Sequence, residues 1–261
     1  NRKMKYAVIF WTSLKEKVMY RTDLWLQYIL LGLQLVVNIS VWQALYTNDA
    51  LMLKGYSLKQ LSLYLLSTNL LALLFSVAPA FRLADQIKSG RLSTLLLRPV
   101  SLYGESLVHF LGAQVPSLLL ELGVIGYLLW TLELSLWRLL WLLVYLALAL
   151  LMFYGLMLLF GMLAFWLLEL WSLRAFVTAC YLMLGGRYFP LSSLPEAIFR
   201  FLQYNPFSLV TDVPERIMTG QLALERSSNY FLAVLGWIML LTMIYKFTFL
   251  RGTKRYEGVE S

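Results

Sequence analysis

The chain has 261 residues, of which 60% are hydrophobic and 14% charged, and its formal net charge at pH 7 is +8. Soluble domains carry about 45–50% apolar and 25% charged residues, so the excess of apolar surface in this chain must face lipid. This composition excludes a disordered chain and a collagen-like repeat, the single cysteine excludes a disulfide-stapled secreted domain, and we expect an all-α polytopic membrane protein.

The first predicted element is an amphipathic helix over residues 1–22. Apolar residues recur at three- and four-residue steps from Met4 to Val18, and basic residues surround this stripe. A helix of this kind lies in the inner membrane interface with its lysines towards anionic headgroups. The alternative is a solvated helix that only precedes the first span.

Six apolar stretches follow between residues 23 and 250, and together they predict a six-span transmembrane domain. A helix needs about 20 apolar residues to cross about 30 Å of hydrocarbon. The stretches cover about residues 24–46, 58–79, 106–130, 136–168, 173–188 and 230–250. The fifth is short, and its separation from the fourth depends on three polar residues, Glu169, Ser172 and Arg174.

The distribution of basic residues predicts the orientation of these spans. Of the 22 lysines and arginines, 15 lie in the segments 1–23, 80–105, 168–174 and 246–261. Cytoplasmic segments of membrane proteins are enriched in both residues, so both termini, including the tail at 251–261, are predicted to be cytoplasmic in a plasma (inner) membrane protein. Nucleic-acid binding is disfavoured because the basic residues form no single patch.

The link between the second and third spans, residues 81–101, is longer than the roughly five residues that a passive connector needs. We expect Pro79 to end the second span by removing a backbone donor, and Gly90 to supply the left-handed residue that closes a first short helix. A second short helix then runs over about residues 92–97 and stops at Pro99. Three apolar residues are expected to share one face of the first helix: Phe81, Leu83 and Ile87.

This link carries a resemblance to a known family. The pattern Ser89-Gly90-x-Leu92, followed by Leu96-Leu97-Arg98-Pro99-Val100-Ser101, resembles the permeases of type-2 ABC exporters, and more closely their branch of uncharacterised ABC transport permeases. The resemblance extends along the chain and includes Arg21-x-Asp23 at the start of the first span and a proline-punctuated stretch before the last span.

The resemblance implies a function and a set of partners. In that family the link is a coupling helix that sits in a groove of a separate ATPase subunit, and the complex contains two ATPases and a second permease, identical or related. ATP and Mg²⁺ then belong to the ATPases, and this chain is a non-catalytic permease for a lipophilic or amphipathic substrate such as a drug, a peptide or a lipid. Membrane lipids surround the complex.

The resemblance also implies roles for individual residues of the link. The charged residues expected at the ATPase interface are Arg82, Asp85, Lys88, Arg91 and Arg98, and Gly90 is expected to set the corner between the two helices. The alternative is that Arg91 and Arg98 are ordinary cytoplasmic basic residues and that Pro99 is an ordinary helix stop.

The sequence predicts neither a catalytic site nor a metal site. It contains no Gly-x-x-x-x-Gly-Lys-Ser/Thr loop for phosphate, and its single histidine, His109, has no second histidine and no cysteine near it. Two other functions stay open. An ion-coupled secondary carrier predicts paired midplane charges and repeat symmetry, and a non-transporting assembly or signalling subunit predicts no bound ATPase.

Polar residues within the spans are candidates for a substrate path. Gln34 and Asn38 share a face of the first span, and Asn69 lies in the second. Such amides form hydrogen bonds between helices or line a wet cavity. An ionised Glu121 is costly within a bilayer, so we expect it either to pair with Arg187 or to line the path.

Residues 190–226 contain four prolines and are too broken to span, yet too apolar for a simple loop. Short helices are predicted over about residues 194–204 and 213–219, each opening near a proline. We expect them to be re-entrant or interfacial helices on the outer side, where they cap the exit of a path.

Overall fold

The structure, a computed structural model, describes residues 2–47, 56–96, 101–131, 135–167 and 170–257. The described residues are almost entirely helical and include no strand, which confirms an all-α polytopic membrane fold. The helices are α1 (Arg2–Met19), α2 (Arg21–Thr47), α3 (Leu58–Leu74), α4 (Ala78–Lys88), α5 (Arg91–Leu96), α6 (Leu102–Thr131), α7 (Leu136–Met162), α8 (Leu170–Leu184), α9 (Glu196–Leu202), α10 (Asp212–Met218) and α11 (Leu224–Glu257).

Five stretches of the described chain are long and apolar enough to cross a membrane: α2, the run from α3 through α4, α6, α7 and α11. The sixth predicted span, α8, has 15 residues and is therefore about 22 Å long. It still reaches both ends of the bundle. Arg174 stacks on Phe81 of α4 at 4.3 Å, and at the other end the side-chain amide of Asn205 donates to the carbonyl of Leu184 at 3.0 Å.

Both ends of the described chain lie at the end of the bundle where α4 is found. At the N-terminal end, α1 packs along α6, where Gly112 lies against Phe10. At the C-terminal end, Gly252 of α11 packs against the ring of Phe165, the last residue of the 3-10 turn that follows α7. Five of the six predicted spans are thus long and apolar enough to cross a membrane, while the assignment of α8 as a sixth span and the cytoplasmic location of the α4 end stay predictions.

The second span differs from the prediction at its end. α3 stops at Leu74, and Pro79 lies in the first turn of α4, so the prediction that Pro79 ends this span was wrong. A proline fits the first turn of a helix because its missing N–H has no intrahelical acceptor there. The Oγ atom of Ser76 instead accepts the backbone N–H of Ala78 at 3.2 Å and marks the start of α4.

α7 forms the centre of the bundle, and α4, α10 and α11 pack against it. Tyr145, Phe153 and Met157 of α7 are fully buried. The closest approach is to α4 at Gly161, where a Cβ atom would lie 2.6 Å from the carbonyl oxygen of Ala80. The glycine therefore lets the backbone of α4 lie directly on α7.

α1 is attached to α6 through the side opposite its apolar stripe. The stripe is exposed, as at Val8 and Trp11, which agrees with a helix that faces lipid; its position at the membrane interface stays a prediction. Ser13 is buried against α6, and a Cβ atom at Gly112 would lie 2.5 Å from the carbonyl oxygen of Phe10. Small residues of α6 thus select the packed face of α1.

We expect Gly112→Ala to loosen α1 from α6, because the added methyl meets backbone that cannot move aside. Overpacking of this kind costs about 1–3 kcal/mol. Gly123→Ala is the matched control, since it lies on the same helix with no described atom within 4 Å and gains the same helix propensity. Thermal unfolding in detergent should show a lower midpoint for Gly112→Ala alone; equal midpoints would contradict this packing.

Two short helices occupy the end of the bundle opposite α4. α9 and α10 lie within or beside the predicted ranges 194–204 and 213–219, so both short helices are confirmed, and their re-entrant or interfacial placement stays a prediction. α11 begins before residue 230 and continues to Glu257, so it extends into the segment 251–261 that was expected to be a tail.

Candidate functional site

The link between α3 and α6 forms an elbow of two short helices. α4 and α5 meet at Gly90, whose φ of +73° lies in the left-handed region that favours glycine. The predicted glycine corner is therefore confirmed. The remainder of the link, including Arg98 and Pro99, lies outside the described residues.

The inner face of the elbow is apolar and buried. Phe81, Leu83 and Ile87 are at most 7% exposed, so the predicted shared face is confirmed. Leu83 and Ile87 pack with α7 residues such as Leu158 and Met162. The inner face of the elbow is thus part of the same buried core as α7.

The outer face of the elbow is charged and exposed, and we call Asp85, Lys88, Ser89 and Arg91 the elbow surface. Lys88 donates through Nζ to the carbonyl of Leu167, which follows α7. Arg91 donates through Nε to Ser89 Oγ at 3.2 Å. The elbow surface combines one acidic and two basic side chains, and the opposite face of the same two helices packs against α7.

Arg82 departs from the position expected for an ATPase contact. It is half-buried, and its Nη1 atom is enclosed without a hydrogen-bond partner among the described residues. The guanidinium is attracted by the carboxylates of Glu16 on α1 and Glu105 on α6, and His109 Nε2 lies 3.7 Å from Glu16 Oε2. Its side chain therefore faces α1 and α6 and is not part of the exposed outer face of the elbow.

A cavity of ≈230 Å³ lies between α2, α3 and α8. Gln34 lines it together with Arg187, which follows α8. Arg187 Nε donates to Asn69 Oδ1 at 3.0 Å, and the Arg187 carbonyl accepts the side-chain amides of Asn69 at 3.0 Å and Asn38 at 3.3 Å. Three of the four predicted path residues thus lie around Arg187. We call the cavity that Gln34 and Arg187 line the arginine cavity.

Glu121 lies in a different cavity of ≈170 Å³, formed mainly by α6 and α7. It is 1% exposed, and neither carboxylate oxygen has a hydrogen-bond partner among the described residues. The predicted Glu121–Arg187 pair was therefore wrong. Arg187 donates its side-chain hydrogen bond to the amide oxygen of Asn69 on α3 and not to Glu121 on α6. This partner depends on which helices are neighbours, which the local sequence does not determine.

α10 carries a buried charged cluster that was not predicted from the sequence, formed by Asp212, Glu215 and Arg216. Tyr64 of α3 donates to Asp212 Oδ1 at 2.6 Å, and Arg216 Nη1 lies 3.5 Å from Asp212 Oδ2. Glu215 is fully buried, and its carboxylate oxygens have no hydrogen-bond partner in the described part of the chain. The spacing of these charged residues at i, i+3 and i+4, which places them on one face of a helix within a largely apolar segment, is the sequence signal that could have indicated the cluster.

Burial changes the ionisation of this cluster. It raises the pKa of Asp212, although Arg216 and Tyr64 oppose the shift. It raises the pKa of Glu215 well above its ordinary value, and the nearby charge of Asp212 adds to the effect. Burial also raises the pKa of the nearby Tyr56, on which the charges of Asp212 and Glu215 act, to about 12.

Among the described residues, no three histidine, cysteine, aspartate or glutamate side chains come together to hold a metal ion.

A family model described as an ABC-2 family transporter protein matches residues 32–259, which is most of the chain. The match includes all described residues of the elbow and of the arginine cavity except those of α2 that precede residue 32. A comparison with curated proteins finds no match.

Proposed function

The chain belongs to the ABC-2 transporter family, and from this premise we propose that it is the permease subunit of an ATP-driven exporter. It works with two ATPase subunits, which bind ATP and Mg²⁺, and with a second permease, identical or related. The substrate is lipophilic or amphipathic. The observation that carries the proposal is the elbow surface, an exposed charged face whose opposite side is packed into the core of the transmembrane bundle.

The packing of the elbow supports a mechanical role. A displacement of α4 is passed to α7 because the two backbones are in contact at Gly161. It is passed to α8 through the stacking of Arg174 on Phe81, and to α3 through the connection at residues 75–77. The work that ATPase closure performs on the elbow surface therefore reaches helices that form the arginine cavity.

The arginine cavity is the proposed substrate path. It is formed by α2, α3 and α8, and the last two contact or continue into the elbow. Gln34 lines it, and Asn38 and Asn69 position Arg187 at its wall. Glu121 has no part in this path, because its cavity lies between α6 and α7.

We expect Asp85→Arg to reduce the amount of ATPase recovered with the permease at least tenfold, since it reverses the acidic charge of the elbow surface. The measurement is purification of the tagged permease from native membranes in mild detergent, followed by photolabelling of the recovered ATPase with 8-azido-ATP. Glu196→Arg is the matched control, because it reverses another exposed acid at the opposite end of the bundle.

The outcomes of this purification separate the candidate functions. Equal labelling of wild type and Asp85→Arg would place the ATPase interface away from the elbow surface. Absence of an ATP-labelled subunit in the wild-type preparation would contradict the exporter and favour an ion-coupled carrier or a non-transporting assembly or signalling subunit.

A further inference from the structure

Arg187 has a positive charge that is held in place without a carboxylate. Its Nε atom and its backbone carbonyl are bound by the amides of Asn69 and Asn38. Its guanidinium stacks on Tyr181 with 5.1 Å between the guanidinium carbon and the ring centroid. Within the described ranges no acidic side chain forms an ion pair with it. A guanidinium has five N–H donors in a fixed fork, so donors remain for another ligand.

A second donor in the same cavity also lacks a partner. The Nε2 atom of Gln34 is buried and has no hydrogen-bond partner among the described residues. A buried donor without an acceptor destabilises the folded protein, because the hydrogen bond it made with water is not replaced. Because Gln34 and Arg187 line the same cavity, an oxygen-rich group between them would satisfy both donors.

The rest of the cavity is mostly apolar. Between Gln34 and the next polar residue of α2, Gln27, its lining consists of leucines of α2 and facing residues of α3. The apolar lining residues of these two helices are Leu30, Leu31, Ala72 and Leu73, and Val77, in the link between α3 and α4, adds to them. At ≈230 Å³ the cavity is larger than the roughly 150 Å³ cavity that takes up benzene. It therefore accommodates a polar group together with the first part of an alkyl chain.

We propose that the arginine cavity binds amphiphiles with an anionic headgroup, a carboxylate or a phosphate, through the guanidinium of Arg187 and the amide of Gln34. The planar fork of arginine matches both oxyanions in a bidentate manner. The apolar wall takes the adjoining alkyl chain. This inference rests on the proposed function, because it names the class of substrate that enters the proposed path.

The test is direct binding of radiolabelled laurate to the purified full-length permease in the neutral detergent dodecyl maltoside, measured by scintillation proximity. Dodecyl phosphate should displace laurate, whereas methyl laurate and dodecylamine, which have the same chain without the negative charge, should not. Displacement by methyl laurate at the same concentration as dodecyl phosphate would overturn anion recognition. Equal displacement by inorganic phosphate would overturn the amphiphile and indicate a site for the free anion.

Substitutions then assign the site. Arg187→Gln should weaken laurate binding at least tenfold, which is about 1.4 kcal/mol at 25 °C, and Arg187→Lys should weaken it less because the charge remains. Arg200→Gln, at an exposed arginine of α9, should bind as the wild type does. Wild-type affinity in Arg187→Gln would overturn the proposal.

A second variant covers the case in which Arg187→Gln does not give a monodisperse protein. Gln34→Leu removes the unpartnered donor without altering the hydrogen bonds of Arg187, and it should weaken laurate binding severalfold; unchanged binding would overturn the role of Gln34. The assay needs no ATPase, so a negative result here is distinguishable from the absence of an ATPase in the purification described above.

Discussion

Gly161→Ala is expected to lower the thermal midpoint of the permease by roughly 5–10 °C in detergent. The added methyl group would lie 2.6 Å from the Ala80 carbonyl oxygen and 3.0 Å from Leu83 Cβ. The first of these atoms is backbone, so α4 must move away from α7 to accommodate it. Because the same contact is the proposed route by which motion leaves the elbow, we also expect ATP turnover to become insensitive to substrate in the assembled complex.

Gly155→Ala is the control for this result. It adds the same methyl to the same helix, six residues earlier, where the nearest atom is Leu241 Cβ at 3.8 Å. This is an ordinary van der Waals distance, so the stability should stay the same or rise with the better helix propensity of alanine. Intrinsic tryptophan fluorescence during heating measures both variants. A Gly161→Ala midpoint equal to that of Gly155→Ala would contradict the close packing of α4 on α7.

Glu215→Gln is expected to stabilise the permease at neutral and alkaline pH. Burial and the charge of Asp212 raise the pKa of Glu215 in the folded state well above its ordinary value of 4.5. The folded protein therefore binds a proton that the unfolded protein has released, and its stability falls as the pH rises above about 4.5. The loss is about 1.4 kcal/mol per pH unit while the folded carboxyl stays protonated.

The amide of glutamine has no such pH dependence, so the midpoint of Glu215→Gln should fall less steeply between pH 5 and pH 8. A residual slope is expected because the pKa of Asp212 is raised as well. Glu196→Gln, at an exposed glutamate, should keep the wild-type slope. If Glu215→Gln has the wild-type slope, Glu215 is ionised in the folded state and the burial of the α10 cluster is wrong.

Features that depend on local chemistry were predictable from the sequence. The apolar stretches predicted the long helices because a spanning helix needs a minimum apolar length, and Gly90 predicted the corner because few other residues adopt a positive φ. Pro79 was ambiguous. The same missing N–H that ends one helix is harmless in the first turn of the next, and only the position of the break at Phe75–Val77 distinguishes the two cases.

Features that depend on which helices are neighbours were not predictable from one sequence. The apolar stripe of α1 was predicted to face the membrane interface, and it is exposed in the structure. The attachment of α1 to α6 uses the opposite face and depends on Gly112, which the sequence pattern did not indicate. Arg187 was paired with Glu121 by charge, yet it lies beside Asn69. In lipid, an exposed apolar side chain carries no penalty, so hydrophobic patterning does not show which faces pack together.

The elbow surface is proposed to face the cytoplasm and to receive the work of the ATPases there. Labelling of Ser89→Cys with a membrane-impermeant maleimide, in a chain whose Cys180 is replaced by serine, tests it most directly. Inside-out vesicles should be labelled and sealed right-side-out vesicles should remain unlabelled until they are permeabilised. Labelling of the intact right-side-out vesicles would put the elbow outside the cell and contradict the account.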